Sequence, residues 1–357
     1  MIRYAALLIA ASLAACGSGT SNLPFTQSVS KTVALFPLRG PGGLFGYIDA
    51  SGTFVIPPQF AAAAPFQDGL ADVAIGDPEH RKHGFIDSSG KFVINPQFDE
   101  VGSFSDGLAS VKISGLEGFI DQQGKVVITP QYSMVNEFND GVAGVEAANK
   151  WGLIDKEGHY IVNPTFEWGP HGAGIRTKSS EGLIAVQVGG KFGYIDTKGK
   201  FAINPQFVDT DAFSEGLSAF MADNDKWGYI DRDGKIVIPA TFDFANRFHD
   251  GLAAVEIGKL YGFIDRTGRL MITPQFDYAG SVDGGLSEGL AVVGVTRKIG
   301  YIDHAGHTVI PPQFGSSNEV DDWLNDWSFH DGVASVVING KKGYINRGGK
   351  LIAIEGQ

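Results

Sequence analysis

Residues 108–132 read LASVKISGLEGFIDQQGKVVITPQY, and this pattern recurs along almost the whole chain. The segments 108–113, 118–121 and 125–128 each have the length of a strand and are rich in β-branched residues. Short segments of this kind, separated by turn residues, are typical of antiparallel strands. The stretch therefore predicts a three-stranded antiparallel β unit.

A Gly-aromatic-Ile-Asp core, with small variations, marks nine such units. The glycines of these cores are Gly46, Gly84, Gly118, Gly152, Gly193, Gly228, Gly262, Gly300 and Gly343. They are separated by 34 to 43 residues, a period that indicates a repeat architecture. A single unit has too little apolar surface for a core of its own, so we expect neighbouring units to stack.

An Asp-x-x-Gly sequence lies between the second and third strands of each unit, with Asn in place of Asp in the last. The first residues of these turns are Asp49, Asp87, Asp121, Asp155, Asp196, Asp231, Asp265, Asp303 and Asn346. Nine such acids could suggest a calcium ladder or catalytic carboxylates, but both require oxygens that converge on one place. Asp can accept a backbone N–H in a tight turn, and Gly can adopt the left-handed conformation. We therefore interpret these residues as turn residues.

Two further motifs complete the unit. The third strand runs into Pro-Gln-Phe or a variant, as in Pro96-Gln97-Phe98, which we interpret as a strand end or an edge because proline cannot donate to a ladder. An acidic residue, Gly and Leu or Val follow, as in Asp106-Gly107-Leu108. We interpret this second motif as the crossing to the next unit.

The predicted fold class is all-β, a tandem array of nine three-stranded units. Nine units slightly exceed the roughly four to eight blades of most propellers, and three strands are fewer than the usual four, which slightly favours an open solenoid. The alternative is a closed, propeller-like ring. In that case the strand-like segment 32–38 and the final hairpin 343–354 would complete one another.

The units resemble WG repeats, also called KWG repeats. The signature Lys-Trp-Gly is intact at Lys150-Trp151-Gly152 and Lys226-Trp227-Gly228, and the rest of the motif is kept in all nine units from about residue 32 to 354. Elsewhere the Trp position holds Phe45, His83, Glu117, Phe192, Tyr261, Ile299 or Lys342. The resemblance implies a bacterial repeat with varied binding roles.

The beginning of the chain reads as an export signal. Arg3 precedes an apolar run over residues 4–13 that is too short for a permanent membrane span. The sequence Leu13-Ala14-Ala15-Cys16 resembles a bacterial lipobox, which implies cleavage before Cys16 and attachment of acyl chains to it. An ordinary signal peptide with an incidental cysteine is the alternative.

This resemblance divides the chain into a signal peptide (1–15), an acylated N-terminus with a flexible tether (16–31) and the repeat array (32–357). Gly17, where an Asp would imply retention at the inner membrane, favours an outer-membrane lipoprotein facing the periplasm or the surface. Since Cys16 is the only cysteine, the fold must form without an intrachain disulfide.

The composition argues against several function classes. The net charge is −12 and there is no basic cluster, so nucleic acid is not expected as a partner. No catalytic or nucleotide-binding motif is present, and we expect no cofactor. His80 and His83 have a chelating spacing but lack a third ligand, and residues 231–234 resemble only part of an EF-hand loop. We expect no metal site.

The two longest connections between units carry the candidate ligand-binding residues. One places Trp323 and Trp327 among Asp321, Asp322 and Asp326, and the other contains Trp168. Exposed aromatic rings beside carboxylates can stack on sugars or anchor a protein, although the rings could instead fold back over the array.

We therefore expect a non-catalytic cell-envelope binding protein whose partner is a protein or a polysaccharide such as peptidoglycan. One alternative is a glycan-acting enzyme with a carboxylate pair drawn from Glu319, Asp321, Asp322 and Asp326. The other is a purely structural spacer.

Overall fold

The computed structural model describes residues 34–166, 179–280, 286–315 and 327–357. Every regular element in these ranges is a β-strand, which confirms the predicted all-β class. No helix that could span a membrane occurs in this described part of the chain. The repeats belong to a compact unit that begins at Ala34. The proposed signal peptide and tether lie outside the described residues.

The strands fall into nine units. Unit 1 holds β1 (Phe36–Arg39), β2 (Phe45–Ile48) and β3 (Phe54–Phe60); unit 2 holds β4 (Ala62–Ala63), β5 (Ala71–Ile75), β6 (Lys82–Ile86) and β7 (Phe92–Phe98); unit 3 holds β8 (Glu100–Val101), β9 (Leu108–Ile113), β10 (Leu116–Asp121) and β11 (Val126–Tyr132). Unit 4 holds β12 (Met134–Val135), β13 (Val142–Ala147), β14 (Lys150–Asp155) and β15 (Tyr160–Phe166); unit 5 holds β16 (Leu183–Val188), β17 (Lys191–Asp196) and β18 (Phe201–Phe207); unit 6 holds β19 (Asp209–Thr210), β20 (Leu217–Met221), β21 (Trp227–Asp231) and β22 (Ile236–Phe242). Unit 7 holds β23 (Phe244–Ala245), β24 (Leu252–Ile257), β25 (Leu260–Asp265) and β26 (Leu270–Phe276); unit 8 holds β27 (Tyr278–Ala279), β28 (Leu286–Ser287), β29 (Leu290–Val295), β30 (Lys298–Asp303) and β31 (Thr308–Gly315); unit 9 holds β32 (Phe329–His330), β33 (Val333–Ile338), β34 (Lys341–Asn346) and β35 (Leu351–Ile354).

Each unit is an antiparallel meander of three long strands, as the sequence predicts. Most units add a two-residue strand beside the first long strand, so that unit 3 has the order β11-β10-β9-β8. A single bridge between Gly315 and Val337 joins the sheets of units 8 and 9. The last long strand of a unit has no partner sheet beyond it in most units, and proline residues protect this edge.

The proline motif lies inside the last long strand, which corrects the interpretation of a strand end. In unit 3, β11 continues past Pro130 to Tyr132. Phe119 pairs with Ile128 and Glu117 with Tyr132, so four residues of β11 advance against two of β10. The proline therefore marks a β-bulge on an edge strand.

The glycine of the repeat core packs directly against this bulge. A Cβ atom on Gly84 would lie 2.5 Å from the carbonyl oxygen of Ile94 and 2.6 Å from the nitrogen of Pro96. Equally close backbone contacts surround the glycines of all units except the last, where Gly343 faces Ala353 more loosely. The core glycine is therefore required by sterics.

The Asp-x-x-Gly segments are hydrogen-bonded turns, which confirms their interpretation. In unit 2, an oxygen of Asp87 accepts the backbone N–H groups of Ser89 at 2.9 Å and Lys91 at 3.1 Å. Gly90 adopts the left-handed conformation with φ of 83°. The same arrangement recurs around the array, which explains why the acid and the glycine are kept.

The acid-glycine motif is a two-residue hairpin and not the crossing between units, which corrects the second motif interpretation. Gln67 and Leu70 exchange backbone hydrogen bonds of 2.8 and 3.0 Å. The residues between them, Asp68 and Gly69, have φ of 50° and 83°, as in a type I′ turn. The crossing comes earlier, at the single residue Ala61 between β3 and β4.

Nine hydrophobic clusters form the core of the described array, and each combines residues from two units. Eight of them lie between units that follow each other in sequence. The ninth packs Leu38 and Ile48 of unit 1 against Val333, Tyr344 and Ala353 of unit 9. An open row of nine units has only eight interfaces, so the ninth cluster closes the array.

Hydrogen bonds at this closing interface repeat those found elsewhere. The Tyr344 hydroxyl donates to the Pro37 carbonyl at 2.8 Å, as the Tyr47 hydroxyl donates to Ala64 at 2.8 Å between units 1 and 2. Gly356 N–H also donates to the Arg39 carbonyl at 3.0 Å. Of the two arrangements left open by the sequence, these contacts belong to the ring, and the slight preference for an open solenoid is corrected.

Candidate functional site

One line of positions varies in chemistry while the rest of the unit is repeated. It consists of the residue before the core glycine and the residues opposite it on the neighbouring strands. Opposite residues on antiparallel strands share one face of a sheet. We call these positions the variable row. From short strand to middle strand its members are Ala62, Ala74 and His83; Glu100, Lys112 and Glu117; Met134, Glu146 and Trp151; Asp209, Met221 and Trp227; Phe244, Glu256 and Tyr261; and Tyr278, Gly294 and Ile299.

The remaining units contribute shorter parts of the same row. These parts are Arg39 and Phe45 in unit 1, Gln187 and Phe192 in unit 5, and Val337 and Lys342 in unit 9. The neighbouring glycine, isoleucine and aspartate are fixed by the bulge, the core and the turn. The row is free of these requirements, so it can carry different side chains on one rigid scaffold.

The row is charged in unit 3. The Lys112 Nζ atom lies 3.0 Å from Glu100 Oε2 and 4.0 Å from Glu117 Oε1. Glu117 Oε2 also accepts the backbone N–H of Val135 in unit 4 at 2.8 Å. Burial raises the pKa of the Glu117 carboxyl group, although the Val135 hydrogen bond and Lys112 oppose this shift. The native fold therefore favours protonation of Glu117, and the corresponding stability is lost as the pH rises through its folded-state pKa.

A groove of about 190 Å³ opens beside these charges, between units 3 and 4. Ser110, Lys112, Glu117 and Met134 are among the residues that line it. Pockets for drug-sized ligands usually measure about 300–1,000 Å³. The groove can therefore accept one small polar group of a larger ligand.

Two histidines lie near the row in unit 2. His83 Nδ1 is 2.9 Å from Asp72 Oδ1 in a half-buried pair, whereas His80 Nδ1 contacts Asp77 at 3.0 Å in an exposed loop. Each histidine thus has its own carboxylate partner. Within the described ranges, no group of three or more metal-ligating side chains is found.

The row is aromatic across units 6, 7 and 8. The rings of Trp227 and Phe244 are 5.4 Å apart, and those of Tyr261 and Tyr278 are 6.5 Å apart. Phe244, Glu256 and Tyr261 pair directly across three strands of unit 7. Burial, followed by the negative charge of Glu256, raises the pKa of Tyr261 to about 12. Four rings and one carboxylate therefore form a continuous series, which we call the aromatic stretch.

The structure places one sequence-predicted ligand residue in the core. Trp327 is only 5% exposed and packs in the cluster between units 8 and 9. Its carbonyl accepts the Tyr301 hydroxyl at 2.8 Å. For Trp327 the expectation of an exposed aromatic anchor is corrected, because this ring folds back onto the array.

The other candidate residues lie outside the described residues: Cys16, Trp168, Glu319, Asp321, Asp322, Trp323 and Asp326. Their roles stay predictions. The variable row was not recognised as a site from the sequence. The available signal was the changing residue at the Trp position, which was interpreted only as departure from the family signature.

The acids of the type I′ turns join neighbouring units. Asp106 Oδ2 accepts the N–H of Gly141 at 2.7 Å, and its carbonyl accepts Lys156 Nζ at 2.6 Å. Related bonds link Glu215 to Gly251 and Arg266, and Glu288 to Gly332 and Arg347. These acids are distributed over separate turns, where they hold units together.

Comparison with known proteins identifies the repeat. A family model described as WG containing repeat matches residues 45–77, 84–116, 118–151, 151–192, 192–227, 227–261, 261–295 and 299–318. No curated protein matches the chain.

Among solved structures, the crystal structure of a eukaryotic initiation factor is similar with a TM-score of 0.59 and 12% identity, covering 90% of this chain and 96% of that one. The designed protein Ika8 (TM-score 0.47, 12% identity, 83% and 95% covered) and BamB from Moraxella catarrhalis (0.41, 11%, 81% and 91%) are more distant. At these identities the first likeness concerns the fold alone.

Proposed function

This chain belongs to the family of WG-containing repeats, and we propose that it is a non-catalytic binding scaffold of the bacterial cell envelope. A lipid anchor at Cys16 would hold it at the outer membrane, facing the periplasm or the surface. Its array would present the variable row to a protein or polysaccharide partner.

The observation that carries this proposal is the contrast between fixed and varied positions within one chain. Core, bulge and turn residues recur from unit to unit, whereas the row holds His83, Glu117, Trp227 or Ile299 at equivalent places. A rigid scaffold that displays unlike side chains at equivalent sites is suited to recognising an extended partner. The repeated acids serve turns and contacts between units, so they do not suggest a shared catalytic cleft.

Crosslinking in intact cells tests the proposal without a prior choice of partner. A photo-crosslinking amino acid replaces Phe244 in the row or, as a control, exposed Val309 on the last long strand of unit 8. We expect the Phe244 position to capture a discrete partner and the Val309 position to capture much less. A Cys16→Ser version should lose the partner if the membrane anchor brings the two together. Equal capture at both positions, or capture at neither, would contradict a binding role for the row.

A further inference from the structure

We propose that the aromatic stretch, formed by Trp227, Phe244, Tyr261 and Tyr278, is a platform for the sugar rings of a neutral or weakly charged polysaccharide. This inference rests on the proposed binding function and specifies its partner class.

The platform is built by repetition of one element. A ring at the start of the middle strand meets a ring on the short strand of the following unit, first as Trp227 with Phe244 and then as Tyr261 with Tyr278. Glu256 lies between the two pairs, opposite both Phe244 and Tyr261. Three consecutive units therefore present rings at a repeated spacing. A polymer of similar rings can engage such a series at more than one point.

The fold itself does not require the outer rings. Phe244 and Tyr278 are each 38% exposed, and they lie on two-residue strands. The equivalent positions of other units hold Ala62, Glu100 and Asp209, with the same pairing to the first long strand. Because these units fold with a small or charged residue there, packing alone does not explain an exposed aromatic ring at this position in two successive units.

The chemistry of the stretch favours a sugar polymer over other ligands. Aromatic faces pack against the apolar C–H faces of a pyranose, and the Glu256 carboxylate can accept hydrogen bonds from its hydroxyl groups. Polyanions are disfavoured by the net charge of −12. A quaternary ammonium group prefers rings that surround it as a cage, whereas these rings are arranged along a row.

Matched variants test the platform. Phe244→Ala/Tyr278→Ala removes the two outer rings. Phe201→Ala/Tyr160→Ala is the control, because it removes the same residue types at similar exposure, 41% and 42%, from last long strands outside the row. Each protein is sedimented with purified peptidoglycan sacculi, and the bound fraction is measured over a range of sacculus concentrations. Thermal unfolding confirms that both variants are folded.

We expect the wild-type protein and the control variant to sediment alike, and the Phe244→Ala/Tyr278→Ala variant to bind at least about tenfold more weakly, as for loss of interface hot spots. Equal binding by all three proteins, or no binding by the wild type, overturns the glycan inference. Ring-dependent retention on a choline resin without sacculus binding also overturns it. If sacculi do not bind but the Phe244 crosslinker captures a protein in cells, the glycan inference fails and the proposed binding function stands.

Discussion

At the scale of single residues, the glycine of the WG signature is kept in every unit, whereas the tryptophan is present in two. The structure explains this difference. The glycine touches the backbone of a β-bulge, where any side chain would collide with a carbonyl and a peptide nitrogen. The residue before it belongs to the variable row, where the fold accepts His83, Glu117 or Ile299. The signature therefore combines one structural residue with one position that can vary for recognition.

Replacing a core glycine with alanine should destabilise the array strongly. In Gly193→Ala, the new methyl group would lie 2.5 Å from Ile203 O and 2.6 Å from Pro205 N, and backbone at a bulge cannot easily move away. We expect a loss of about 3 kcal/mol in the free energy of unfolding, measured by chemical denaturation. Gly42→Ala is the control, because no atom lies within 4 Å of its Cβ. A similar, small effect of both substitutions would show that the bulge tolerates a side chain.

At the scale of elements, each acid-glycine hairpin combines a strained conformation with a contact between units. Its acid adopts positive φ, for example 50° at Asp68 and 53° at Glu215. Several of these acids also accept the N–H of the glycine in the following hairpin, as Glu215 does from Gly251 at 3.1 Å. An acid at this position can thus shape one unit and hold the next.

Asp68 provides a test of the hairpin conformation. A β-branched residue is disfavoured at positive φ, so Asp68→Val should lower the unfolding free energy by about 1–2 kcal/mol. Asp68→Asn should remain within about 0.5 kcal/mol of the wild type, because Asn tolerates this conformation. Urea denaturation of the two variants measures the difference. An equally stable Asp68→Val variant would argue against a type I′ turn at this place.

The sequence predicts those elements whose signals are local. Hydrophobic segments indicate the three long strands, and Asp-x-x-Gly indicates their second turn. Pro130 was misread because a proline on an edge strand can mark either a strand end or a bulge, and only the pairing with β10 distinguishes them. The short strands were missed because two residues such as Ala62–Ala63 or Glu100–Val101 carry no periodicity.

At the scale of the whole array, closure depends on contacts that no local pattern encodes. The slight preference for an open solenoid followed from the number of units and strands, whereas the structure joins β1 to unit 9 through Tyr344 and Gly356. The candidate site was also only partly predictable. Trp327 stands out in the sequence but lies in the core, whereas the variable row emerges only when strand register aligns residues from neighbouring strands.

Closure of the array is the claim on which the arrangement of the variable row depends. A double variant, Arg39→Cys/Gln357→Cys in a Cys16→Ser background, places two exposed thiols beside the hydrogen bond from Gly356 N–H to the Arg39 carbonyl. A short bis-maleimide should join them within one chain, at a yield independent of protein concentration, with residues 39 and 357 identified in a crosslinked peptide by mass spectrometry. In an open row of stacked sheets about 10 Å apart, the same residues would be about 80 Å apart. Absence of the intramolecular crosslink, or crosslinks only between molecules, would contradict the closed array.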